Sequence, residues 1–182
     1  SIESLKEKPE VLFVPEWHKN KRFQEAVAEN INEAMIPFKG KGQKTVVIFS
    51  AHSLPYKVMN KDDPYVNQIN ETIKGVLSIT GELDWKLAYQ SRGLAPGEWL
   101  EPTVDSVLDG LPEQGYKNVV LVPIVFVSDH IETLYDIDIM YRKQAESLGL
   151  NFSRSKSLND SPKFIEALSE IVMEAINHKK LK

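Results

Sequence analysis

Hydrophobic positions along this chain follow two patterns, and stretches of the two kinds alternate. Continuous apolar runs rich in β-branched residues, typical of strands buried on both faces of a sheet, occupy residues 45–50 and 119–127. Weaker strand patterns lie at residues 11–14, 85–89 and 151–153. Apolar spacing, together with proline near helix starts and glycine after helix ends, predicts helices over residues 21–35, 63–78, 102–114, 129–147 and 162–177.

This alternation predicts an α/β fold. Parallel strands need long crossover connections, which helices normally provide, and those helices cover both faces of the sheet. We expect a single Rossmann-like domain whose parallel sheet has four strands, or five if residues 151–153 add an edge strand. No internal repeat or linker interrupts the pattern.

Composition excludes several kinds of protein and site. The 182 residues carry a net charge of -4, and their basic residues are dispersed, so no nucleic-acid partner is expected. The chain has no cysteine, which excludes thiolate zinc sites and cysteine-bound iron–sulfur clusters. A metal would have to be bound by His, Asp, Glu or backbone oxygen. No apolar run approaches the ~18 residues that span a bilayer, so a soluble, intracellular protein is expected.

Polar side chains follow three of the predicted strands. Open α/β sheets bind ligands outside the carboxyl ends of their strands, so these positions are candidates for one shared cleft. The first cluster contains Ser50, His52 and Ser53; the second contains Gln90, Ser91 and Arg92, with a loop to Trp99; the third contains Asp129, His130 and Glu132. Together they offer two histidines and the carboxylates of the third cluster.

Each cluster also has a purely structural interpretation. His52 can be a half-buried polar residue that closes a strand, and Trp99 can pack a loop onto the domain. Asp129 and Glu132 are spaced like a capping box at a helix start. The segment Gln90-Ser91-Arg92 can make ordinary strand-end hydrogen bonds. Three such clusters at three successive strand ends nevertheless favour a shared site.

The helix predicted after residue 129 carries a second pattern. Glu132, Asp136 and Met140 are four residues apart and would share one face of a regular helix, where acidic groups could pass a metal ion or protons. The alternative is a solvated helix face. His130 and Glu132 are two apart, so they can converge only in the turn before the helix or through a π-bulge.

Four segments of the chain resemble the signature segments of the ferrochelatase family, in that family's order. They are Phe-Ser-Ala-His-Ser-Leu-Pro at 49–55, Asp-Pro-Tyr at 63–65, Tyr-Gln-Ser-Arg at 89–92 with Trp99-Leu100, and Val-Ser-Asp-His-Ile-Glu-Thr-Leu-Tyr at 127–135. The resemblance covers nearly the whole chain, but only the C-terminal half of the family's length. It identifies residues 1–182 as a C-terminal ferrochelatase domain without the N-terminal half.

The resemblance implies a lyase of haem biosynthesis that inserts ferrous iron into protoporphyrin IX or coproporphyrin III. Iron is then a substrate, and no further cofactor is required. The resemblance implies that His52 binds the metal or accepts the pyrrole protons and that Glu132 is the catalytic glutamate. Residues implied to bind substrate or to form the surrounding network are Ser50, Ser53, Arg92, Trp99, Asp129, His130 and Asp136.

Two departures and two alternatives accompany this resemblance. The loop between Arg92 and Trp99 is one residue longer than the family pattern, and Met140 stands where many members carry a third acid. The alternatives are a non-catalytic module that binds porphyrin or metal, and a cobalt or nickel chelatase that uses His52 with His130.

The expected partners follow from the size of a porphyrin. One sheet edge forms one wall of a cleft, so an N-terminal half or a second copy of this chain should supply the other wall. The chain alone should therefore be inactive. The expected location is the bacterial cytoplasm, with peripheral contact to a membrane.

Overall fold

The structure, a computed structural model, describes residue 9, residues 11–93 and residues 96–180, apart from the side chains at positions 132 and 178–180. Within this part, four strands form one sheet: β1 (Thr45–His52), β2 (Trp85–Gln90), β3 (Asn118–Pro123) and β4 (Asn151–Arg154). Neighbouring strands are all parallel, in the order β2-β1-β3-β4. The predicted α/β fold with a four-stranded parallel sheet is confirmed.

Helices connect these strands. They are α1 (Lys21–Met35), α2 (Tyr65–Thr80), α3 (Val104–Asp109), α4 (Ile131–Tyr135), a π-helical segment (Asp136–Tyr141), α5 (Arg142–Ser147) and α6 (Pro162–Lys180). The bounds predicted for α1 are confirmed, and Asn20 explains its start, because its side chain accepts a 2.9 Å hydrogen bond from the backbone N–H of Phe23. In the described part of the chain, no helix is long and apolar enough to cross a membrane.

Membership of the sheet differs from the prediction in two places. Residues 11–14 form no strand; they are exposed, with Phe13 at 81%, and residues 12–14 line a groove beside α6. The strand predicted there is therefore wrong. The weak pattern at 151–153 forms an edge strand beside β3, as predicted. The strand predicted over 119–127 ends at Pro123, because the chain turns there and Phe126 N–H bonds back to the Pro123 carbonyl (3.1 Å).

Apolar residues of the central strand β1 alternate between two cores. Val47, Phe49 and Ala51 pack with α1, α2 and α6, whereas Val46 and Ile48 pack with α3, the π-helical segment and α5. Helices therefore cover both faces, as predicted. The ends of β1, β2 and β3 emerge together between these two layers, at what we call the carboxyl edge.

Candidate active site at the carboxyl edge

His52 is the last residue of β1 and lies opposite Gln90 of β2 in the sheet register. Its ring is half-buried and stands edge-on to Phe126, with ring centroids 6.4 Å apart and an interplanar angle of 71°. The Phe126 ring is also 5.3 Å from the ring of His130. Both distances lie within the usual range for aromatic contacts. The structure therefore brings the two candidate histidines to one edge, around a phenylalanine that the sequence did not single out.

The loop after β1 is bonded to the loop after β2. The backbone N–H of Ser53 donates to the carbonyl of Gln90 (2.8 Å), and the buried Ser53 hydroxyl donates to the carbonyl of Leu100 (3.1 Å). Leu100 N–H in turn donates to the carbonyl of Leu54 (3.0 Å). Ser53 therefore joins the two loops, and its predicted part in substrate binding stays a prediction.

Trp99 is buried in the second loop, with 8% of its surface exposed. Its ring lies over Gly93, where an added Cβ would approach a ring carbon to 2.9 Å. Arg92 is exposed and donates from Nη2 to the carbonyl of Gly97 at 3.4 Å. The packing interpretation describes Trp99 in this structure, and contact of Trp99 or Arg92 with a porphyrin stays a prediction.

Asp129 fastens the loop between β3 and α4. Its carboxylate accepts hydrogen bonds from Arg154 (2.9 Å), Ser157 (2.8 Å) and Asn159 (3.0 Å). Burial opposes ionisation of this carboxyl, but the bonds from Asn159, Ser157 and Arg154 outweigh it and hold the pKa of Asp129 below its ordinary value. Arg154 Nε also contacts Asp138 Oδ1 at 3.0 Å. The arrangement makes Asp129 an anchor for the neighbouring His130.

Helix α4 begins differently from the predicted capping box. The Thr133 hydroxyl accepts from the N–H of His130 (3.3 Å) and donates to its carbonyl (2.9 Å), while the Asp129 carboxylate is engaged with the segment before α6. The backbone of Glu132 lies in the first turn of α4, but its side chain falls outside the described residues. The roles predicted for Glu132 therefore stay predictions.

The predicted helix from 129 to 147 is not one regular α-helix. It becomes π-helical from Asp136 to Tyr141, and the wider turn breaks the four-residue line that Glu132, Asp136 and Met140 would form on an α-helix. Asp136 is part-buried, and its Oδ2 accepts a 2.8 Å hydrogen bond from the hydroxyl of Ser91. The Asp136 carboxylate therefore joins the π-helical segment to the residue after β2 and does not lie on a solvated helix face.

Ser50 and Gln90 lie on the face of the sheet that the π-helical segment covers. Both are buried, at 0% and 2% exposure, and share the sheet face of His52, because residues two apart on a strand point to the same side. In the described part of the chain, neither the Ser50 hydroxyl nor the Gln90 amide has a hydrogen-bond partner. Buried unpaired polar atoms are costly and uncommon, so this pair is unusual, and the part predicted for Ser50 in substrate binding stays a prediction.

Tyr65 is a further contact that sequence reasoning missed. Its hydroxyl donates to the backbone carbonyl of His52 (2.9 Å). Burial, with a smaller contribution from Tyr89, raises the pKa of Tyr65 to about 12. The only available signal was its place in the Asp-Pro-Tyr segment at 63–65. Among the described side chains, no three His, Asp or Glu residues are grouped so that they could hold a metal ion.

The chain is similar to known proteins along nearly its whole length. The ferrochelatase family model matches residues 1–176. A ferrochelatase of Desulfotalea psychrophila is 43% identical over 162 residues, covering 89% of this chain and 49% of the relative. A coproporphyrin III ferrochelatase of a Geobacillus species is 36% identical over 170 residues, covering 92% and 55%. The chain spans about half the length of these curated relatives. It belongs to the ferrochelatase family.

Proposed function

We propose that this chain provides the metal-inserting wall of an enzyme that places ferrous iron into a porphyrin during haem biosynthesis. The observation that carries the proposal is the meeting of His52, Phe126 and His130 at the carboxyl edge of a ferrochelatase-family sheet. Relatives that align with 89–92% of this chain, at 43% and 36% identity, bear the names ferrochelatase and coproporphyrin III ferrochelatase. The substrate is therefore proposed to be protoporphyrin IX or coproporphyrin III.

Metal insertion requires two pyrrole protons to leave as the metal enters. A neutral imidazole suits this work, because its ordinary pKa lies close to neutral pH. Ferrous iron accepts imidazole and carboxylate ligands. We assign to His52 the metal contact and then, once the metal has left its ring nitrogen, the first pyrrole proton, and we assign the carboxylate of the site to Glu132.

Exposed apolar side chains at the same edge suit a flat macrocycle. Tyr56 and Val58, in the loop after β1, are 54% and 65% exposed. Ile131 and Tyr135, in the helix after β3, are 85% and 54% exposed. Binding sites for such ligands combine apolar walls with a few polar groups. Here the first two apolar residues follow His52 in the chain, and the other two follow His130.

The second wall comes from outside the described chain. A binding cleft normally buries most of its ligand, and a single sheet edge covers one face of a porphyrin. We propose that the other half of a full-length protein, or a second copy of this chain, completes the cleft, and that this chain alone does not turn over. We also propose a cytoplasmic location with contact to a membrane surface.

The test uses a protein that contains both halves and follows loss of free-porphyrin fluorescence with ferrous iron in the absence of oxygen. His52→Ala should abolish insertion and leave porphyrin affinity nearly unchanged, because most of the contact area remains. His18→Asn is the control, since His18 lies three residues before α1 and bonds to Glu71. Equal insertion rates for His52→Ala and wild type would refute the proposal.

Two alternatives have their own outcomes in this assay. A non-catalytic module would bind porphyrin without converting it. A cobalt or nickel chelatase would insert those metals faster than iron and depend on His130 as strongly as on His52; the shared neighbour Phe126 permits that pairing, but the names of the relatives favour iron.

A further inference from the structure

Strand β1 ends differently on its two sides. Its pairing with β2 continues to His52, opposite Gln90, whereas its pairing with β3 stops at Ser50, opposite Pro123. The final bond on the β3 side runs from Ile124 N–H to the Ser50 carbonyl (3.0 Å). Carbonyls two residues apart on a strand point to the same side, so the His52 carbonyl points past the end of β3. A buried backbone carbonyl there needs a donor from outside the sheet.

Tyr65 supplies this donor from the opposite core. Its hydroxyl is 2.9 Å from the His52 carbonyl oxygen, and its ring packs against the apolar cluster shared by α1 and α2. Tyr65 is the first residue of α2, and its own N–H donates to Asp63 Oδ1 (2.9 Å). The hydroxyl is therefore held by a helix start rather than by a mobile loop.

The geometry points to Tyr65 as a positioning residue for His52. The hydroxyl holds the peptide group between His52 and Ser53 in one orientation. That orientation sets the direction of the His52 side chain, whose ring lies beside Phe126. A rotation of that peptide would move the ring relative to the porphyrin, and small misplacements of a reacting group are costly to rate. This inference rests on the proposed function, in which His52 contacts metal and accepts protons.

The first test measures ring position without any metal. In this chain, the imidazole NMR signals of His52 are compared at one fixed pH in wild type and in Tyr65→Phe, which removes only the hydroxyl. The signals should move in Tyr65→Phe and stay in place in Tyr56→Phe, a matched change at an exposed tyrosine of the loop after β1. Unchanged His52 signals in Tyr65→Phe would overturn the inference.

The second test uses Co²⁺ as the probe, because its visible absorption depends on ligand geometry. Tyr65→Phe should bind Co²⁺ more weakly, by at most about 10-fold, the limit set by one net hydrogen bond, with an altered band. In a protein with both halves, kcat should fall while KM for porphyrin is kept. An unchanged band with only a lowered melting temperature would show a structural role and overturn the inference.

Failure of the proposed function is recognised separately. If His52→Ala binds Co²⁺ as wild type does, His52 is not the metal contact and the proposed function is contradicted. The His52 ring signals in Tyr65→Phe still decide whether Tyr65 positions the ring. The two failures therefore give different results in the same set of variants.

Discussion

Replacing Asp129 by asparagine removes the charge from a carboxylate that joins two loops of the carboxyl edge. Oδ1 accepts from Arg154 and Ser157, and Oδ2 accepts from the amide of Asn159. An asparagine must turn an NH₂ group toward one of these donors. If it faces Asn159, that amide cannot simply flip, because its oxygen already accepts from the backbone N–H of residue 129 (2.9 Å). At least one bond is therefore lost in any orientation.

The size of the effect follows from the exposure of the group. Hydrogen bonds to charged groups contribute about 1.5–3 kcal/mol each when buried, but solvent screening reduces this here, because the Asp129 side chain is 30% exposed. We expect Asp129→Asn to lower the free energy of unfolding by about 1–3 kcal/mol at neutral pH. For a domain of this size, that is a melting temperature lower by roughly 3–10 °C.

The pH dependence gives this prediction a direction. The pKa of Asp129 is lower in the folded chain than its ordinary value, so its contribution is fully present above the unfolded-state pKa of about 3.9. That contribution disappears as the pH falls through the folded-state pKa. The difference in melting temperature between wild type and Asp129→Asn should therefore be constant near pH 6–7 and become smaller below about pH 4. At still lower pH it should disappear.

Thermal melts followed by circular dichroism at several pH values test this reasoning. Asp160→Asn, a change at an exposed carboxylate of the neighbouring loop, is the control and should melt as wild type. The reasoning is refuted if both variants melt alike at neutral pH. A gap that persists unchanged at pH 3 would show that packing, not charge, is responsible.

Three further predictions concern the core and the edge. Ile48→Ala, at a fully buried position of β1, should cost about 2–5 kcal/mol in urea unfolding, and a cost under 1 kcal/mol would contradict the packing described. Gly93→Ala should push the Trp99 ring from its place and shift tryptophan emission, whereas an unchanged spectrum would contradict that contact. Glu132→Gln should slow iron insertion without loss of stability; if Glu132 only caps α4, the rate is kept and stability falls by about 1 kcal/mol.

Much of the fold could be predicted from the sequence, because buried parallel strands and amphipathic helices have distinct patterns. The run at 45–50 could only be a central strand, and residues 21–35 form the helix that their apolar stripe predicts. The strand predicted at residues 11–14 is wrong because a short apolar run resembles a buried strand, whereas these residues lie outside the sheet and stay 38–81% exposed. The weak pattern at 151–153 became a strand because β3 offered it a free edge.

The candidate site was predicted in position but not in detail. His52 and His130 were expected together because both follow parallel strands, and the carboxyl ends of parallel strands lie at one edge of the sheet. Phe126 could not be found in this way, because the strand was expected to continue through it, and Pro123 ends it earlier. A π-bulge was considered only between His130 and Glu132, whereas the π-helical segment begins at Asp136, in a stretch whose sequence also suits an α-helix. The bond from Ser91 shows where the Asp136 carboxylate lies.

The bonds that hold this edge join residues far apart in the chain. Tyr65 reaches back 13 positions to His52, Asp129 reaches forward 28 to Ser157, and Ser91 reaches 45 to Asp136. Strand β4 lies between Asp129 and Ser157, and strand β3 lies between Ser91 and Asp136, so these two bonds need the assembled sheet, whereas the bond from Tyr65 to His52 spans only a loop. The contact of the His52 ring with Phe126 also needs β3 beside β1, so an isolated peptide of residues 49–55 lacks it. The segments that identify the family specify the reacting groups, and the complete sheet determines where those groups point.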